Sequence, residues 1–215
     1  MKKLLKKEFM LALHPTSIIF LLFSLLVFVP NYLYEVVFFF SCLSVFFICL
    51  NGRENKDLNY TVSLPVEKKK VALARILLCI ILQLALVFLV TIFTIIKTFT
   101  INMDNVAGME ANMALIGFGL IILSVFNIIF FPKYFKNPNK VGVPFIIGAI
   151  VDFLIIFIVT TLVHAVPVIA RAIDTPDTQF SVYKLIILLV GVVTYIVLNV
   201  ITCVVSMRRF DKTDL

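Results

Sequence analysis

The chain has 215 residues, 62% of them apolar and only 14% charged, against about 45–50% and about 25% in a soluble domain. Nineteen basic and twelve acidic side chains cannot give so apolar a chain a polar coat, which excludes a water-soluble globular protein and leaves an integral membrane protein. The net charge of +7 does not point to nucleic acid, because 16 of the 19 basic residues fall into four clusters separated by apolar runs; that is a topology signal.

In chain order, the first element is a short basic amphipathic start, residues 1–15. On a helical projection Lys2, Lys3, Lys6 and Lys7 share an arc of roughly 140°, with Leu4, Leu5, Phe9, Leu11 and Ala12 across from them and Glu8 interrupting the apolar side. This predicts an interfacial helix held to anionic lipid by its lysines, the alternative being a plain topogenic tag. Six apolar segments follow, Thr16–Val29, Tyr34–Leu50, Val71–Ile96, Met113–Phe131, Val143–Val163 and Val182–Ser206, each read as a crossing of about 30 Å of hydrocarbon. The first is short for that task, and Pro30-Asn31 supplies the turn between it and the second.

Every proline falls at or near a proposed boundary, as helix interiors demand. With six spans, all four basic clusters (residues 2–7, 53–75, 133–140 and 208–212) lie on one side, which the positive-inside rule makes the cytoplasm. The expectation is therefore an all-α polytopic protein with both termini cytoplasmic. Its single transmembrane domain comprises residues 1–15 (interfacial helix), 16–50 (two spans), 51–70 (cytoplasmic loop), 71–131 (two spans), 132–142 (cytoplasmic loop), 143–206 (two spans) and 207–215 (tail). No small-x-small site follows the first segment to suggest a cleaved signal peptide. Cys42, Cys49, Cys79 and Cys203 lie within spans without ligand spacing, so neither a metal site nor a disulfide framework is expected.

Catalytic signatures are missing from the sequence. The seven glycines build no Gly-x4-Gly-Lys-Ser/Thr phosphate loop, there is no Gly-x-Ser-x-Gly or His-Glu-x-x-His, and the two histidines, His14 and His164, fall on opposite sides of the membrane. The chain reads as a non-enzyme.

The most informative stretch is the first cytoplasmic loop, Asn51 to Lys70. It is charged, about 20 residues long, and contains a helical stretch Glu54–Leu64 that Pro65 would stop. A connector needs only a few residues, so a loop this long needs a use, unless it is only a solvated carrier of topogenic charge. With Glu54, Leu58, Ser63-Leu64-Pro65, Val71 and Ala74-Arg75, the basic N-terminal helix and the six-span layout, the whole chain resembles the ABC-2 type permease family, the membrane subunits of bacterial ATP-binding-cassette exporters. It departs from the family pattern at Asn55-Lys56-Asp57, which lacks a glycine, and at Glu67-Lys68 after the proline.

The resemblance implies a bacterial cytoplasmic-membrane permease whose Glu54–Leu64 helix couples to a separate ATPase through Glu54, Asp57, Leu58, Tyr60, Leu64 and Pro65. It implies two permease subunits, as homodimer or heterodimer, with two ATPases that bind ATP and Mg; this chain would hold no cofactor itself. A short outer helix, Val166–Ala172, is implied between the last two spans.

Within the spans, Asp152 should lie near mid-membrane, where a carboxylate marks either a wet pathway or a hydrogen-bonded structural site, with Asn127, Gln83 or Asn199 as candidate partners. Gly191, Tyr195, Asn199, Thr202 and Ser206 form one stripe on the last span, a packing surface or a path. The Phe-rich second span, Phe39 and Phe46 included, offers an apolar wall to a hydrophobic substrate, or simply faces lipid. The expected function is export of amphipathic peptides or other hydrophobic compounds. The alternatives are a six-span vitamin-capturing subunit of an energy-coupling uptake system, disfavoured by short outer loops, and a passive channel, which leaves the Ser-Leu-Pro loop without a role.

Overall fold

A computed structural model describes residues 1–13, 15–100, 105, 107–175, 177 and 179–213, which contain helices and no strand. Helix α1 (Lys2–Lys7) passes into a π-helical turn, Glu8–Ala12, and α2 (Pro15–Leu22) into a 3-10 turn, Phe23–Phe28. These two apolar pieces meet at 84°. Proline opens α2 without loss, since the first N–H of a helix has no partner in any case. The long helices are α3 (Val36–Glu54), α5 (Lys68–Thr100), α6 (Met113–Tyr134), α7 (Gly142–Ala165) and α9 (Ser181–Asp211), with the short α4 (Asp57–Ser63) and α8 (Pro167–Ile173) between them.

The five long helices are long and apolar enough to cross a membrane; a sixth crossing requires the bent N-terminal pair to count as one. Helices α5, α6, α7 and α9 each contain one of the expected apolar segments and run past it at one or both ends, because polar residues beyond the hydrocarbon still gain from continued helical hydrogen bonding; α3 starts two residues inside the expected Tyr34–Leu50 and runs past it to Glu54. Pro132, expected at a boundary, sits inside the last turn of α6. There it removes only one hydrogen bond near the helix end, so the helix continues to Tyr134.

Helix α6 forms the centre of the bundle. Phe126, Phe130, Phe131 and Tyr134 are fully buried, as are Leu115, Ile122 and Leu123. Its closest neighbour is α9, and the two backbones touch: a Cβ on Gly191 would stand 2.4 Å from the Gly117 carbonyl oxygen. Any larger residue at either position would push the helices apart, which is why small residues face each other here. By contrast α7 and α9 turn Ile146, Ile150, Phe157, Leu189, Val193 and Val200 outward, each more than half exposed. So large an exposed apolar surface has lipid as its natural solvent.

Candidate functional site

One end of the bundle carries the loop between α3 and α5, and its helix differs from the expected Glu54–Leu64. Glu54 ends α3, the chain breaks at Asn55-Lys56 with Lys56 in the left-handed region (φ 50°), and α4 covers only Asp57–Ser63. Leu64 is extended, as the residue before a proline is obliged to be. The break separates Glu54 from the other residues expected to act with it.

What holds α4 is a buried charge cluster. The Arg75 guanidinium, fully buried in the second turn of α5, donates from Nε to Glu8 and from Nη2 to Asp57. Lys7 bridges Asp57 at 2.5 Å and Glu8 at 3.1 Å, and donates to Thr61 Oγ1 at 2.7 Å. Thr61 in turn donates to the Asp57 carbonyl at 2.7 Å. Two carboxylates against two cations leave the cluster neutral, and the shared hydrogen bonds offset the desolvation that burial imposes. Burial pushes the Asp57 carboxyl up, but Arg75 and Lys7 outweigh it and hold the group below its ordinary range. Gly52 permits the arrangement, because a Cβ there would stand 2.5 Å from Arg75 Nη1.

The cluster ties the N-terminal helix to α4 and α5. Glu8, which interrupts the apolar face of an amphipathic helix in projection, is the contact that fixes that segment to the bundle, at 1% exposure. A fully apolar neighbourhood around an arginine, together with a lone acid in the N-terminal helix, was the available signal for this pair. Of the residues assigned to ATPase coupling, Asp57 belongs to the cluster and Leu58 is buried at 3% exposure, packed into the hydrophobic core. Glu54, Tyr60, Leu64 and Pro65 are exposed, Tyr60 at 65%.

A second polar assembly lies midway along the bundle. Gln83 of α5 and Asn127 of α6 exchange amide hydrogen bonds at 2.9 and 2.7 Å, Asn127 donates to Asn199 Oδ1 of α9 at 2.8 Å, and the Tyr195 hydroxyl donates to Gln83 Oε1 at 3.1 Å. Asn199 closes the chain by donating to the Tyr195 carbonyl at 2.9 Å. The three amides expected as partners for Asp152 therefore pair with one another. Asp152 itself, on α7 and fully buried, makes no hydrogen bond from either carboxyl oxygen among the described residues; the Cys42 thiol lies beside it and turns to the Phe38 carbonyl at 3.7 Å.

Phe39 and Phe46 pack α3 onto α7, Phe39 against Phe153 with ring centroids 4.6 Å apart and Phe46 against Phe145 at 4.4 Å. Those α7 rings, with Ile146, Ala149, Ile150 and Leu154, line an open apolar cleft of about 400 Å³. At the far end of the bundle charged groups fasten side chains and backbone. Lys97 bonds Tyr34 Oη at 3.0 Å and Glu110 at 3.3 Å, Glu35 accepts from the Met109 N–H, and Asp177 from the Met113 N–H. Asn112 caps α6 and donates to the Ile173 carbonyl of α8, the short helix close to the expected Val166–Ala172.

Five long apolar helices around a sealed core define a multi-pass membrane protein, with a polar loop fixed at one end of the bundle. Residues 3–211 match the model of a family described as ABC-2 family transporter protein. The chain belongs to that family, whose members are membrane components that work with an ABC ATPase. Neither the curated proteins nor the solved structures contain a match.

Proposed function

We propose that this chain is the permease half of an ABC exporter, moving amphipathic peptides or other hydrophobic compounds through a path formed by two permease subunits and driven by two separate ATPase subunits that bind ATP and Mg. The basic end of the bundle, with both termini, faces the cytoplasm of a bacterial cell, as the clustering of lysines and arginines there supports. The observation that carries the reading is the state of α4: pinned at its base through Asp57 to Arg75 and Lys7, it leaves Tyr60, Leu64 and Pro65 exposed. A docking element needs that combination of an exposed apolar tip and a rigid root that passes force to a membrane helix. Helix α5 receives the force, and the apolar cleft on α7, lined by Phe145 and Phe153 with their aliphatic neighbours, supplies an apolar wall for the substrate.

The test separates tip from root. Tyr60→Ala and Leu64→Ala should weaken pull-down of the cognate ATPase by about tenfold, as loss of a central anchor does, with unchanged amounts of permease in the membrane. Glu54→Lys should weaken it as well if the receiving groove is basic. Full ATPase retention by all three variants would remove α4 as the docking element.

A further inference from the structure

A groove on the outer surface of the bundle combines an apolar lining with two cations. It runs between α6 and α9 at the end that carries the basic clusters, with a volume of about 310 Å³. Its floor is Ile128, Ile129 and Pro132 from α6 and Ile201 and Val205 from α9, and its mouth holds Lys133 and Arg209. Ile201, Val205 and Arg209 follow one another at intervals of four on a single helical face. At 1.5 Å per residue the cation stands about 12 Å above Ile201 along the helix, about the length of the upper half of an acyl chain. The apolar floor and the charged mouth are thus ordered along the membrane normal as a phospholipid is.

The cations are not committed elsewhere. Arg209 donates Nη1 to the Pro132 carbonyl at 3.1 Å, which steadies the guanidinium and leaves its other N–H groups for a ligand. Among the described residues no carboxylate pairs with Lys133 or Arg209, and Asp211 is engaged by Lys69 at 3.1 Å. No acidic side chain lines the groove. Two cations at one end of an apolar slot between membrane helices attract an anion that carries a hydrocarbon tail.

We propose that this groove binds an anionic phospholipid, its phosphate held by Lys133 and Arg209 and one acyl chain lying along Ile128, Ile201 and Val205. The site needs only a bilayer, so it stands or falls separately from ATPase docking. Wild-type permease in nanodiscs, titrated with spin-labelled phosphatidylglycerol and in parallel with spin-labelled phosphatidylcholine, should immobilise the anionic lipid preferentially. Lys133→Gln with Arg209→Gln should reduce that preference on the order of tenfold, two interfacial cations each contributing severalfold. Val205→Trp, which fills the slot and keeps both charges, should reduce it as well, whereas Lys133→Arg with Arg209→Lys should retain it. Lys56→Gln with Lys70→Gln, exposed loop cations that do not line the groove, should leave it unchanged.

Equal immobilisation of the two lipids by wild type, or undiminished preference in the double-glutamine and tryptophan variants, would overturn the proposal. A change in subunit association in place of lipid preference would reassign the groove to a second copy and overturn it too. Helical circular dichroism and a single elution peak for each variant ensure that lost lipid binding is not lost folding.

Discussion

The charge cluster at the basic end and the amide network in the middle of the bundle meet the same difficulty, polar groups removed from water, with different chemistry. Arg75, Glu8, Asp57 and Lys7 carry full charges, so each depends on its partners and loses heavily without them. Gln83, Asn127, Asn199 and Tyr195 are neutral and exchange donors and acceptors within hydrogen-bonding distance. The contrast follows depth. Near the bundle end a charged cluster can be assembled from loop, N-terminal helix and membrane helix; halfway down only uncharged groups bond without a counterion. It also follows use, because the charged cluster joins three separate pieces of chain whereas the amides lock three long helices together.

Breaking the charged region should have the largest effect. Arg75→Met leaves Glu8 and Asp57 with Lys7 as their one remaining cation among the described residues, a loss of about 3–5 kcal/mol, read as a lower unfolding temperature in detergent and as loss of ATPase pull-down even though Tyr60 and Leu64 are intact. Adding Glu8→Gln and Asp57→Asn to Arg75→Met should recover part of the stability, since the excess negative charge is then gone. If Arg75→Met alone behaves as wild type, the cluster does not hold α4.

The amide network should respond more mildly. Asn127→Leu takes the partner from Gln83 Nε2 and Asn199 Oδ1 and should cost about 1–2 kcal/mol of stability. Asp152 sharpens the comparison, because a buried carboxyl with no hydrogen bond among the described residues contributes little to cohesion. Asp152→Asn should therefore match or exceed wild-type thermal stability while lowering transport, which separates a functional carboxyl from a structural one. A fall in stability with normal transport would assign Asp152 to packing.

The smallest effect expected is that of acid on the charged cluster. Asp57 is held below its ordinary pKa of 3.8 by Arg75 and Lys7, so its contribution is present above about pH 4 and is lost as pH falls through the folded value. A spin label at Ser63, on the exposed side of α4, should keep its mobility from pH 8 to 5 and loosen only in stronger acid. Asp57→Asn should remove this pH response. Loosening between pH 7 and 5 would mean that another group carries the attachment.

Membrane residence, the places of the five long helices, the basic end of the molecule and the break at Leu64-Pro65 were all legible in the sequence, because each depends on local chemistry. A run of some twenty apolar residues needs a bilayer, and a residue before proline is extended whatever its surroundings. What pairs with what was decided only by tertiary structure. Glu8 interrupts an amphipathic face in projection and becomes an anchor once Arg75, 67 positions later, is brought against it. Leu58 resembles a docking anchor until the break at Lys56 turns α4 and buries it. Asn127, Gln83 and Asn199 are equally good partners for Asp152 on paper, and helix rotation alone assigns them to each other. Hydrogen bonds and ion pairs act over about 3 Å, so partner choice depends on helix rotation and crossing, which one-dimensional spacing does not contain.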